Sequence, residues 1–406
     1  MSIEILDGLN PDQEEAVLHN TGPLLVVAGA GSGKTRVLTH RIARLIQEEG
    51  VSPFAILAIT FTNKAATEMR SRVEGLVGSV AQRMWVSTFH SACVRILRRE
   101  AKAIGYPSSF TIYDHADAVR LTSYVLRDLN IDSKRNPPRS VHSSISAAKN
   151  EGRTAAEFLA AADSTHERRI GDVFVEYQRR LKAAGAMDFD DLLSVTVQLF
   201  KSNPDVLETW QRRFEYILVD EYQDTNPVQN ELVLLLASAA GNVCVVGDAD
   251  QSIYRFRKAD IRNILEFENA FPQATTVVLE QNYRSTQNIL DAANAVIDNN
   301  PGRPAKQLWT EQGPGEKIVR YHAEDETDEA TWVANRLSLL HSREHYRWGE
   351  MAIFYRTNAQ SRVIEERLMR NGIPYKVIGG TRFYDRKEIK DAMAYLKAVI
   401  NPTDEV

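Results

Sequence analysis

Apolar residues in this chain recur in two styles, short unbroken runs and longer stretches spaced every three or four positions. From Pro23 to about Ile112 the runs LLVVAG, ILAITFTN and MWVSTF read as short buried strands. Between and after them, RVLTHRIARLI, KAATEMRSRVEGLV and SACVRILRREAKAI have the spacing of helices with one apolar face. Strand alternating with helix predicts an α/β fold built on a doubly wound parallel sheet. From about Tyr113 to Ala186 the strand signal disappears. ADAVRLTSYVLRDL, VHSSISAAKN, AAEFLAAA and RIGDVFVEYQRRLKAA are all helical, which predicts an inserted helical subdomain over 113–185. The sheet resumes at Phe214 with YILVDEYQDT, NVCVVGDADQ and TTVVLEQNYRS, so that 1–112 and 186–285 form one domain. A second α/β unit is expected over 286–406. Its elements are helix QNILDAANAVIDNN, strand EKIVRYH, helix TDEATWVANRLSLLH, strand MAIFYRTN, helix QSRVIEERLMRNG, strand YKVIGG and helix RKEIKDAMAYLKAVI.

Two strand ends carry chemistry. The segment AGAGSGKT, from Ala28 through Gly29, Ala30, Gly31, Ser32 and Gly33 to Lys34 and Thr35, joins a buried strand to a helix. Successive backbone N–H groups in such a loop converge on an anion, and the helix N-terminus adds its partial positive charge. Lys34 can reach β- and γ-phosphates and Thr35 can hold magnesium. The pattern departs from strict G-x-x-x-x-G-K-T only at Ala28, away from the glycines that must approach phosphate. The plainer alternative, a glycine-rich turn before a lysine, does not explain the strand on one side and the helix on the other. Further on, the run Tyr216 to Val219 ends in Asp220 and Glu221. Carboxylates at the C-terminal end of a parallel strand face the crevice where open α/β sheets bind ligands. Asp220 is the candidate magnesium ligand and Glu221 the candidate base for an attacking water. Together the two motifs predict hydrolysis of a nucleoside triphosphate, with ATP and magnesium as cofactors.

A third strand end, NVCVVGD, leads into ADQSIYRFRKAD. Gln251 there falls at the crevice edge, where an amide can sense a γ-phosphate or its water. Tyr254, Arg255, Phe256 and Arg257 interleave rings and guanidinium groups, the composition of a platform for single-stranded nucleic acid. A core strand with flanking arginines is the competing reading. Phe61 in TFTN and His90 in TFH likewise leave buried strands with an aromatic at the exit.

Composition adds bounds. With 406 residues, 43% hydrophobic and 25% charged, the chain can hold two to three domains and a large core. The acidic N-terminus and the absence of a long apolar run predict no signal peptide, no membrane partner and a cytoplasmic location. The 2 cysteines, Cys93 and Cys244, read as small core residues. A net charge of −5 means that any nucleic-acid surface is local. The segment HSREH, from His341 to His345, matches an inverted zinc-peptidase pattern but sits at a helix terminus, and is read as a solvated helix end.

The ordered set LNPDQEEAV, AGAGSGKT, AITFTNKAA, VSTFHS, MDFDDL, VDEYQDTN, VVGDADQSIYRFR, LEQNYRS and YRTNAQSR resembles superfamily 1 DNA helicases of the UvrD/Rep/PcrA group. The resemblance spans the whole chain and implies RecA-like motor domains that move 3′ to 5′ on single-stranded DNA and at single-strand/double-strand junctions, in repair or replication. It implies that Gln13 reads adenine, that Tyr283 stacks on the base and that Arg284 reaches the γ-phosphate. Arg36 would lie close to the nucleotide. On the DNA side it implies contacts from Phe61, His90, Phe189, Tyr254, Phe256, Arg257 and Arg356. Phe256 stands where relatives often carry tryptophan. Lys258 stands where the family usually has glycine, and at positive φ a lysine costs about 1 kcal/mol. The family's later VHxxKGLEF and VAxTRA segments are not found here. The chain is therefore expected to stop before the C-terminal helicase motifs, with only part of a second RecA-like domain. A nucleotide-gated module that binds single strands without productive turnover remains the alternative.

Overall fold

A computed structural model gives the structure of residues 5–300, 306–378, 391–393 and 395–396. The described residues fall into two compact units, one holding those up to Gly315 and the other running from Glu316 to Leu396.

The first unit is built on strands β1 (Leu24–Ala28), β2 (Ile56–Thr60), β3 (Trp85–Thr88), β4 (Thr111–Tyr113), β5 (Ala186–Asp188), β6 (Tyr216–Val219), β7 (Val243–Gly247) and β8 (Thr275–Leu279). Six of them form one sheet in the order β3-β2-β6-β7-β1-β8, and every pairing in it is parallel. The expected doubly wound sheet is thus present. Alternation along the strands sorts the core into two layers. Leu25, Val27, Leu57, Ile59, Ile217 and Val219 face one side, and Leu24, Val26, Ile56, Ala58, Leu218 and Val246 face the other. Both layers are covered, which is why the central strands read as continuous apolar runs rather than alternating ones.

Helices α1 (Pro11–Leu18), α2 (Lys34–Gln47) and α3 (Asn63–Val77) lie on the second of these faces. After α4 (Phe89–Glu100) the chain leaves the sheet for α5 (His115–Asp128), α6 (Pro138–Asn150), α7 (Ala155–Ala160) and α8 (Thr165–Ala183), which share a core around Leu121, Val125, Ile145, Phe174 and Tyr177. It returns as α9 (Phe189–Ser202), α10 (Pro204–Arg213) and α11 (Pro227–Ala237), which with α4 cover the first face. At the root of the helical excursion β4 and β5 pair in parallel, Thr111 with Ala186 and Tyr113 with Asp188. Sequence reading placed no strand there, because three residues are too few for a period of two to show. The stretch 286–315, read as the opening of a second domain, packs with the first unit.

The second unit corrects an expectation. Its helices Glu326–Arg343 and Ser361–Arg370 form and pack through Ala334, Leu368 and Ile373. The segments EKIVRYH and MAIFYRTN join no ladder among the described residues, and Phe354 is 93% exposed. A strand is defined by its partner, and apolar alternation alone cannot supply one. Of YKVIGG, Tyr375 to Ile378 are likewise unpaired, and the rest, with most of RKEIKDAMAYLKAVI, lies outside the described residues. His341 of HSREH closes its helix end, with its ring 4.0 Å from that of Trp348.

Candidate active site

Parallel pairing puts the C-terminal ends of β1, β2, β3, β6 and β7 along one edge of the sheet. The loop after β1 turns into α2 through Gly31 and Gly33, whose φ angles of +68° and +93° lie where other residues are strained. Space adds a second constraint. A Cβ on Gly31 would stand 2.6 Å from Asn282 Nδ2, and one on Gly33 would stand 2.6 Å from Gln13 Nε2. Lys34 opens α2, and its ammonium donates to Glu221 Oε2 at 2.8 Å. Glu221 itself has φ +52°, an uncommon conformation for a residue with a Cβ, which re-aims its carboxylate toward the loop. Asp220, next to it, is 6% exposed. Burial, and then the Glu221 charge, push its carboxyl up to about 7, with Lys34 opposing.

Gln223 connects this pair to the next strand end. Its Nε2 donates to Glu221 Oε2 at 2.8 Å, and its Oε1 accepts from the Asp248 N–H at 2.9 Å. Gln251 Nε2 donates in turn to Asp248 Oδ2 at 2.5 Å. Gln223 and Asp248 were absent from the sequence-derived site. A buried amide inside a motif of acidic residues was the available signal for Gln223.

The loop QNYRS lies against the phosphate-type loop. Asn282 Nδ2 donates to the Ala30 carbonyl at 2.5 Å, and the Tyr283 N–H donates to the Gly31 carbonyl at 3.0 Å. Arg284 is held by its N–H on Asn282 Oδ1 at 2.8 Å, and its Cβ would be 2.8 Å from a Cβ on Gly31. Tyr283 keeps its ring half exposed. Gln13 is buried beside the loop. Its Nε2 donates to the Ser32 carbonyl at 2.8 Å and its Oε1 accepts from the Asn10 N–H at 3.2 Å, so one end of the amide holds the loop and the other caps α1. Arg36 sits nearby and donates to the Asp7 carbonyl at 3.2 Å.

On the same edge, toward α6, lies a groove of about 500 Å³ with Phe61, His90, Asn150, Asp190, Phe256 and Arg257 among its lining residues. Rings follow one another along it. Phe61 and Tyr254 have centroids 5.6 Å apart, Tyr254 and Phe256 5.8 Å, and His90 and Phe189 5.6 Å. The Arg257 guanidinium lies 5.2 Å from the Tyr254 ring. Phe256 is 72% exposed, which removes the core-strand reading of this segment. Burial holds the His90 imidazole below its ordinary value. Lys258 takes φ +65°, the costly conformation expected of a lysine in this place, and its ammonium pairs with Glu151 at 2.8 Å. Arg356 lies in the second unit, just before the turn Asn358–Gln360.

A parallel sheet whose first strand runs through a glycine-rich loop into a helix, with an acidic pair at the end of a neighbouring strand, defines a P-loop protein with a RecA-like core. Residues 9–272 match the UvrD/REP helicase N-terminal domain, and residues 277–406 match the UvrD-like helicase C-terminal domain. The chain belongs to the UvrD/REP helicase family. It is 53% identical to the ATP-dependent DNA helicase PcrA of Bacillus subtilis over all 406 of its residues, which is 55% of that relative. The PcrA proteins of Staphylococcus epidermidis and Staphylococcus aureus are 54% identical over 402 residues, 99% of this chain and 55% of theirs. The chain thus spans about half the length of these relatives. The C-terminal domain match over 277–406 runs against the expectation that the chain stops before the C-terminal helicase motifs. Among the described residues, no helix is long and apolar enough to cross a membrane.

Proposed function

We propose that this chain hydrolyses ATP to move 3′ to 5′ along single-stranded DNA, engaging single-strand/double-strand junctions in repair or replication in the cytoplasm. The observation that carries the proposal is the convergence of Lys34, Asp220, Glu221 and Gln251 on one sheet edge that also bears a groove lined by Phe61, His90 and the exposed Phe256. The PcrA relatives, described as ATP-dependent DNA helicases, support it.

Backbone N–H groups at the start of α2 and the Lys34 ammonium balance the triphosphate. Phosphate oxygens compete with Glu221 for Lys34, so substrate binding frees the carboxylate that takes a proton from water. Gln251 orients that water, and the Arg284 guanidinium meets the charge that builds on the γ-phosphoryl group. Asp220 and the Thr35 hydroxyl are hard oxygen donors, and a buried acid whose charge is poorly balanced suits a magnesium ion, which would neutralise phosphate charge there. Tyr283 would stack on the base.

Glu221→Gln is expected to retain Mg-ATP affinity and to lose about 10²- to 10⁴-fold in turnover. Asp220→Ala should weaken the magnesium-dependent part of binding. Equal loss of affinity in the two variants, measured with a fluorescent ATP analogue and a coupled ATPase assay, would reverse the assignment. DNA-stimulated ATPase activity tests the whole proposal, and nucleotide-dependent DNA grip without turnover would favour the gated binding module instead.

In the groove, Phe256→Ala should cost about 1–3 kcal/mol in oligonucleotide binding at an unchanged salt slope, since stacking is nearly independent of salt. Arg257→Ala should reduce the slope by about one counterion. The measurement is affinity against salt concentration, and identical slopes in wild type and both variants would remove this segment from the DNA track.

A further inference from the structure

One buried cation near the active site comes from outside the motifs. Lys306 lies beyond the helix Gln287–Ile297, and its side chain is 4% exposed. Its ammonium pairs with Asp248 Oδ1, and with Asp250 Oδ2 at 3.2 Å. The other oxygen of Asp248 accepts from Gln251, and the Asp248 N–H donates to Gln223, which bonds Glu221. A continuous polar chain therefore runs from Lys306 through Asp248 and Gln223 to Glu221 and Lys34. The segment carrying Lys306 is anchored on the phosphate-type loop. Leu308 Cδ2 would stand 2.1 Å from a Cβ on Gly29, and the Trp309 carbonyl accepts from the Asn282 N–H at 2.7 Å. A strap over 306–309 thus ties the loop after β1 to the loop after β7.

Asp248 keeps only 3% of its side chain exposed, and a charge held that deep needs a counter-charge beside it. Lys306 supplies it. Without the ammonium, the Asp248 carboxylate loses the contact that fixes it and turns toward water, which moves the acceptor that holds the Gln251 amide. We infer that Lys306 is a positioning residue for the hydrolytic site, aiming Gln251 at the γ-phosphoryl group through Asp248. The inference rests on the nucleotide-hydrolysis reading above. Nothing in the local sequence PAKQLWT points to this role, because the partner lies 58 residues away.

The test compares the affinity of the full chain for Mg-ADP with its affinity for Mg-ADP plus aluminium fluoride, which imitates the γ-phosphoryl group in transit. Wild type should bind more tightly with fluoride. Lys306→Gln should lose about tenfold or more of that gain while keeping its Mg-ADP affinity, as expected when a group aimed at developing charge is released. Lys306→Arg should restore most of the gain, and adding Lys306→Gln to Gln251→Ala should cost nothing beyond Gln251→Ala alone. Should Lys306→Gln fail to fold, the pair Lys306→Met with Asp248→Asn removes both charges and leaves an amide oxygen for Gln251. That double variant should keep the gain. Retention of the full gain in Lys306→Gln, parallel loss of Mg-ADP affinity, additivity with Gln251→Ala, or a folded double variant without the gain each overturns the inference. So does a wild-type chain that binds Mg-ADP but gains nothing from fluoride. Wild type that fails to bind Mg-ADP is a separate result, one that removes the nucleotide reading and this inference with it.

Discussion

Lys34→Ala is expected to lower affinity for Mg-ATP by about 3 kcal/mol, more than about a hundredfold in Kd, the usual cost of truncating one member of a desolvated charge pair. The backbone cradle still supplies partial charges, but no full cation remains in the loop to set against the triphosphate. The geometry explains why the loss should appear in binding rather than in folding. Lys34 keeps only 11% of its side chain exposed, whereas its partner Glu221 keeps 35%, so the carboxylate left behind can be hydrated. Titration with a fluorescent ATP analogue, beside thermal melting of the same variant, measures both quantities. Unchanged affinity would remove Lys34 from the site. Parallel loss of melting temperature would recast the Lys34–Glu221 pair as structural.

The second large effect concerns stability. Lys149, on α6, is buried and donates to Asp188 Oδ2 at 2.7 Å, and it also pairs with Asp191 Oδ1 at 2.8 Å. Tyr177 donates to Asp188 Oδ2 at 2.8 Å, and Gln178 donates to Asp191 Oδ1 at 2.9 Å. One ammonium thus serves two carboxylates, joining the helical excursion to the start of α9. Lys149 holds Asp188 below the ordinary carboxylate range, while burial and the Asp188 charge push Asp191 up to about 7. Lys149→Ala leaves two acids buried beside each other and should cost about 3–5 kcal/mol in denaturant unfolding. The loss carries a pH signature. In the variant both acids have folded pKa values above their unfolded value of about 3.9, so the folded chain binds more protons than the unfolded one. Stability then falls as pH rises through the folded values, and the deficit against wild type should be largest near pH 8 and shrink toward pH 5. A deficit under about 1 kcal/mol, or one independent of pH, would mean that water reaches the acids.

How far the sequence carried the description depended on where the determining contacts lie. The strands β1, β6 and β7 and the loops that leave them were legible, because each is a local pattern: an apolar run buried on both faces, then glycines or acids at its end. Lys34, Thr35, Asp220, Glu221 and Gln251 could be named for the same reason. Each follows a strand whose direction sets which edge of the sheet it meets. The rings of Phe61, Tyr254 and Phe256 could likewise be assigned to one edge before their spacing was known.

What pairs with what was decided only in three dimensions. The sheet order sets β6 between β2 and β7, which is what lets Gln223 reach both Glu221 and Asp248. Strands β4 and β5 exist because residues more than seventy positions apart meet at the root of an excursion, a contact that has no local period. The reverse holds for Ile318 and Phe354, whose apolar runs read as strands but find no ladder among the described residues. Gln13 is marked by its motif, and only packing shows its amide against Ser32 and Asn10. Lys306 and Lys149 look in sequence like any solvated lysine. Their burial, and the acids that make it tolerable, are properties of the packed chain, because the cost of removing a charge from water depends on neighbours that only folding brings near.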